Sequence, residues 1–205
     1  MRFYNRNGEL DAASHPRTYG EESASVLSAL DCFLDGRKAL YASSELTTGR
    51  RLFQLMKEAG VHTPEELRSR IGEAGYRRRL WDPNLAEALD FAQQVRDLAG
   101  GGLVLTPAPF LAPGWSQEEY LALWETVIRT RVEALYFGPD WEYSHGCAFE
   151  FSVAWDQGLP TFDATGVPMS RGAGIARIAA AVTDLESQGF EVPGLHLSLA
   201  RLRRS

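Results

Sequence analysis

A single charged residue, Glu150, lies within the stretch Gly146-Cys147-Ala148-Phe149-Glu150-Phe151-Ser152-Val153-Ala154-Trp155. Its neighbours are small or bulky apolar residues. A carboxylate in such surroundings is costly to desolvate, and carboxylates tuned by apolar neighbours are common in functional sites. The stretch follows an apolar run, Ala134-Leu135-Tyr136-Phe137, and a polar turn from Gly138 to His145. That order predicts a buried strand, a loop and a helix. Ser144-His145-Gly146 at the helix start would offer a hydroxyl and free backbone N–H groups, which suit a phosphate. Other acids are near in the chain: Asp140 and Glu142 in the loop, and Glu125 on the preceding helix. Two carboxylates at the right separation are the usual apparatus of glycosidic-bond cleavage. One attacks or stabilises an oxocarbenium-like centre while an acid assists the leaving group. Trp141 and Tyr143 flank the loop and would suit a planar base.

Each of these residues also has a structural reading. A Ser or Gly before a helix is most often only a cap. Asp140 and Glu142 read as solvated loop acids, and Glu125 sits on a helix whose apolar residues face several ways. His145 reads as an exposed loop residue, Trp141 as packing, and Cys147 as a small core residue.

The elements that would position these residues alternate in type. Lys38 to Ala42 reads as a first strand, stopped by Ser43-Ser44. Leu103 to Thr106 reads as a second, Val132 to Phe137 as a third, and Thr161 to Asp163 as a fourth. Helical patterns cover Glu22 to Asp35, Thr48 to Ala59, a segment opened by Thr63-Pro64, and Asp82 to Leu98. Others follow a capping box at Ser116, then Gly146 to Gly158, Gly172 to Gly189, and Leu195 to Leu202. Residues 1–21 are rich in turn formers and read as a hairpin or an arm. Strands alternating with helices predict an α/β fold, a flavodoxin- or Rossmann-like parallel sheet flanked by helices. Such sheets take ligands beyond the carboxyl ends of their strands. The loops after Ala42, Thr106 and Phe137 would open there.

The 205 residues suffice for one α/β domain over 1–205 with a substantial core. Hydrophobic content of 44% and charged content of 23% describe a soluble globular chain. A net charge of −6 argues against a nucleic-acid polymer as partner. No apolar run approaches a membrane span, so no membrane partner is expected. Met1 to Asn7 lacks an apolar signal-peptide core, and two cysteines make neither a disulfide framework nor a metal-ligand spacing. The expectation is a cytoplasmic protein with no metal and no cofactor.

The run from Gly138 to Glu150, continuing through Ala154, Gly158 and Pro160, resembles the signature of the nucleoside 2-deoxyribosyltransferase-like superfamily. In that superfamily a glutamate attacks the anomeric carbon and forms a covalent glycosyl-enzyme; by position it is Glu150. The resemblance is closest to the nucleoside 5'-monophosphate N-glycosidase branch, which carries a Ser six residues before the nucleophile to bind the 5'-phosphate. Ser144 stands there. The branch's helper carboxylate lies on the helix before the third strand, where this chain has Glu125, a Glu in place of the commoner Asp. Asp140 is the alternative. The family's Gly/Ser-rich turn after the first strand corresponds to Leu40-Tyr41-Ala42-Ser43-Ser44, with Ser where Gly is commoner. The resemblance spans residues 38–165. It leaves 1–37 as an N-terminal extension, an insertion near 60–82, and C-terminal helices over 166–205. It implies catalytic Glu150 with Glu125 or Asp140, and a substrate held by Ser144, Gly146, Ser43, Ser44, Tyr41, His145 and Trp141. Hydrolysis of a nucleotide, base exchange between deoxynucleosides, and a non-catalytic nucleotide sensor all remain compatible with these residues. Members are commonly homodimers or larger, so a homo-oligomer is expected. The Pro-rich loop from Pro107 to Gly114, with Trp115, would cover the base.

Overall fold

The computed structural model describes residues 18–204. The chain divides into two compact units, Met1–Gly36 and Arg37–Ser205. The described part of the first unit is helix α1, Tyr19–Leu34. A capping box opens it: Thr18 Oγ1 accepts from the Glu21 N–H while the Glu21 carboxylate accepts from the Thr18 N–H at 2.9 Å. The hairpin or arm expected over 1–21 otherwise lies outside the described residues.

The second unit is α/β. It contains strands β1 (Ala39–Ser43), β2 (Val104–Leu105), β3 (Val132–Phe137) and β4 (Thr161–Phe162), paired in parallel in the order β2-β1-β3-β4. The register places Tyr41 beside Leu135 and Ser43 beside Phe137. Between β1 and β2 run α2 (Arg50–Ala59), α3 (Pro64–Tyr76), a wide helical turn (Arg77–Trp81) and α4 (Asp82–Leu98). The segment near 60–82 forms α3 and the turn that feeds α4. Helix α5 (Gln117–Arg131) leads into β3, α6 (His145–Asp156) follows it, and α7 (Arg171–Ser187) and α8 (Pro193–Arg204) close the chain. No helix of the described residues is long and apolar enough to cross a membrane.

Alternation along β1 assigns its side chains to opposite faces. Ala42 packs with Phe91 and Val95 of α4, with Leu40 against the same cluster. Tyr41 points the other way, edge-on to Trp124 of α5 at 6.0 Å between ring centroids. Ser43 shares that face. The chain leaves β1 for β2 on one side and then crosses to β3 on the other. A crevice therefore opens between β1 and β3 at their carboxyl ends, where such folds take ligands.

Candidate functional site

Helix α6 begins in this crevice. Ser144 is its N-cap, and the Ser144 hydroxyl accepts from the Cys147 N–H at 3.4 Å. Gly146, Cys147 and Glu150 recur at helical spacing on one face and line a cavity of about 220 Å³. Three loops complete it. The segment after β1 contributes Ser44, Leu46, Thr47 and Thr48; the one after β2 contributes Pro107, Ala108, Phe110 and Leu111; the one after β3 contributes Ser144. Trp81 closes it from the helical turn, and Gln117, Tyr120 and Trp124 from α5. One end is thus rich in hydroxyls and the other is walled by aromatic rings. Phe110 meets the Trp124 ring edge-on at 5.7 Å. Trp115 packs behind, against Phe110 and Tyr120.

Glu150 stands where these ends meet, and it is 5% exposed. It is the one carboxylate among the described residues lining the cavity. Two hydroxyls from the same face of β1 hold it: Tyr41 donates to Oε1 at 2.7 Å and Ser43 donates to Oε2 at 2.6 Å. Burial pushes the Glu150 carboxyl up to about 7, although both bonds pull it down. Burial and the neighbouring Glu150 charge hold the Tyr41 phenol well above its ordinary value. The same two causes raise the Cys147 thiol, so it stays protonated. A carboxyl near 7 is divided between its two states at neutral pH. The ionised form is a desolvated carboxylate oriented by two donors, a state in which a carboxylate is able to act as a nucleophile.

The structure brings together Glu150, Ser144, Gly146 and Ser44 at the cavity, and places other expected residues elsewhere. Tyr41 and Ser43 are fully buried and lie beneath Glu150. They are its hydrogen-bond donors and are not among the residues that line the cavity. Ser43 is the last residue of β1 rather than part of the turn, so strand alternation turns it away from Ser44. Glu125 also lies off the cavity. Its carboxylate accepts from Arg129 at 2.7 Å and from Arg201 at 3.0 Å. Burial raises that carboxyl, but the two arginines outweigh it and leave it below the usual value. Asp140 pairs with Arg50 at 2.9 Å and lines a separate groove, of about 390 Å³, beyond Ser44. Trp141 is fully buried and packs on Phe137 and Phe151, with its ring centroid 4.8 Å from each. The His145 ring packs against Gly194, where a Cβ would stand 2.4 Å from it, and burial lowers its pKa. Neither Trp141 nor His145 lines the cavity.

Thr47 and Thr48 belong to the hydroxyl end and follow Ser43-Ser44 in the chain after Glu45 and Leu46. Thr48 Oγ1 and Ser144 Oγ are 3.0 Å apart, a bond that joins the β1 loop to the cap of α6. The pattern missed them because Thr48 reads as the start of α2, which in fact begins at Arg50. Among the described residues, no group of three or more His, Cys, Asp or Glu could hold a metal ion. Comparison with protein-family models, curated proteins and solved structures returns no match to this chain.

Proposed function

We propose that this chain is an N-glycosidase acting on a nucleoside 5'-monophosphate or a related nucleotide. The observation that carries the reading is the single buried carboxylate, Glu150, held by two hydroxyls at the junction of a polar and an aromatic cavity end. The base stacks against Phe110, Tyr120 and Trp124. The sugar lies over Glu150, and the phosphate reaches the Ser144 hydroxyl and the His145 and Gly146 amides that open α6, which have no intrahelical acceptors. Ionised Glu150 attacks C1'. A C1'–O bond forms as the C1'–N bond breaks, and the base leaves with the electron pair and takes a proton from solvent. Water then attacks C1', and a new C1'–O bond forms as the C1'–O bond to Glu150 breaks. The water's proton passes to the released carboxylate or to solvent, and the sugar phosphate is left.

The test is a panel of nucleosides and 5'-nucleotides, including modified pyrimidines, with chromatography for free base. Release from a nucleotide by the native chain, lost in Glu150→Ala, is the expected result. Unchanged release in Glu150→Ala would refute the covalent route.

Base exchange is the second reading. It is favoured by the apolar wall of Trp81, Phe110, Leu111 and Leu121, which shelters the glycosyl ester from water. Adding a second base to the reaction distinguishes the two: a new nucleoside or nucleotide reports exchange.

A further inference from the structure

The segment from Ser44 to Gly49 carries the hydroxyl end of the cavity without belonging to a strand or helix. Side chains outside the cavity pin it at two points. The Asn84 amide of α4 donates to the Leu46 carbonyl at 2.8 Å, and Asn84 is itself held by the Arg51 guanidinium. The second pin is Glu45, whose Oε2 accepts the Arg50 N–H at 2.9 Å, with the Arg51 N–H also facing it. Residue 49, the N-cap of α2, is a glycine and has no side chain to satisfy these amides. Glu45 supplies the missing cap from four residues upstream. The fit needs a glycine: at Gly49 φ is +127°, and a Cβ there would stand 1.9 Å from Glu45 Oε2.

Between the two pins Thr47 and Thr48 line the cavity, and Thr48 meets Ser144. Glu45 itself faces away, into the groove of about 390 Å³ behind Ser44. We propose that Glu45 is a positioning residue: by closing the start of α2 with its carboxyl group it sets Thr47 and Thr48 against Ser144 and so builds the polar end of the cavity. That this end holds the sugar phosphate rests on the N-glycosidase reading above; the loop geometry does not.

Charged groups surround Glu45 on several sides. Arg50 and Arg51 come from α2 and Asp140 from the loop after β3. Glu87 and Asp90 of α4 line the same groove, and Cys147 faces Glu45 from α6. Burial pushes the Glu45 carboxyl up to about 7 against the pull of the two amides. A carboxyl raised in the closed loop favours closure in its neutral form. The hold is therefore full below the ordinary value of 4.5 and weakens as pH rises through 7. A neutral amide at this position keeps an acceptor for the Arg50 N–H and has no charge to bury.

Amide hydrogen exchange on the full chain tests this without a substrate. Protection of residues 47–51, corrected for intrinsic rates, is measured at about pH 5 and about pH 8 in the native chain, Glu45→Gln and Glu45→Ala. Native protection should fall about tenfold between the two conditions, relative to Glu45→Gln, which should stay protected at both. Glu45→Ala should be unprotected at both while the amides of β3 keep their protection. In the base-release assay Glu45→Ala should raise KM, and Glu45→Gln should restore it. Native-like protection in Glu45→Ala would overturn the proposal, as would equal loss in the Gln and Ala variants. Absence of any base release would count against the N-glycosidase reading alone, because the exchange result decides the loop by itself.

Discussion

Ser43 Oγ donates to Glu150 Oε2 across 2.6 Å and ties the end of the first strand to the middle of α6. With Tyr41 on the other oxygen, both carboxylate oxygens are occupied from below, and the side chain has one orientation available toward the cavity. Preorganised donors of this kind cost nothing to align at the moment of reaction. They also raise the fraction of Glu150 that is ionised, against the larger effect of burial.

The first prediction is a pH profile. With Glu150 near 7, kcat/KM for base release should rise with pH through about 7 with the slope of a single proton. Tyr41→Phe removes one donor that lowers this carboxyl, so the acid limb should move upward by about one unit or more. Ser43→Ala should do the same. A limb that stays in place in both variants would show that another group sets the profile.

The same carboxyl makes a stability prediction. Its folded value lies above the ordinary 4.5, so the neutral form is favoured by folding. The stability this provides is complete below about pH 4.5 and is lost as pH rises through 7. Glu150→Gln should therefore match the native chain in acid and exceed it above neutrality by about 3 kcal/mol. Urea titrations of both proteins from about pH 5 to about pH 8 measure the difference. The Glu45 contribution is common to both and cancels.

Much of this arrangement is legible in the residue pattern. The apolar run of β3, the Ser144 cap and the lone acid in α6 give Glu150 its place, because strand and helix periods bring consecutive elements to one sheet edge. The residues that support Glu150 are less legible. Tyr41 and Ser43 are more than a hundred positions away in sequence, and only the parallel pairing of β1 with β3 brings them beneath it. Ser43 and Ser44 look alike in the sequence, yet the end of β1 falls between them and separates their roles. The surroundings of Glu125 are hidden for the opposite reason. Its distance from β3 in sequence suits a helper acid, but helical phase turns it toward Arg201 of α8. Nothing local encodes the position of that distant arginine.

The placement of Glu125 predicts a mild variant. Glu125→Ala should leave base release within about twofold of the native rate, since the side chain lies outside the cavity. Arg201 keeps its partner Asp156 at 2.6 Å. The loss of stability should be no more than about 1 kcal/mol, as for other partly exposed ion pairs. Rate and urea midpoint together check this, and a loss of a thousandfold in rate would return Glu125 to a catalytic role.

Helix α6 must also keep its depth against the rest of the unit, and a glycine of α7 helps to set it. The Phe151 ring, adjacent to Glu150 in sequence, packs over Gly174 of α7, where a Cβ would stand 2.1 Å from the ring. Phe151 is fully buried and packs on Phe137, Trp141 and Trp155, so any shift of its ring disturbs those contacts. Gly174→Ala must displace either α7 or the Phe151 ring. The expected cost is about 1–3 kcal/mol, despite the higher helix propensity of Ala, which would favour the change by up to about 1 kcal/mol on an exposed helix. If the displacement falls on α6, Glu150 moves relative to Tyr41 and Ser43, and base release should drop along with the urea midpoint. Phe151→Leu in the Gly174→Ala background relieves the overlap and should recover part of both losses. Stability equal to or above that of the native chain in Gly174→Ala would show that the two helices are free to separate, and that the position of Glu150 is not set by this contact.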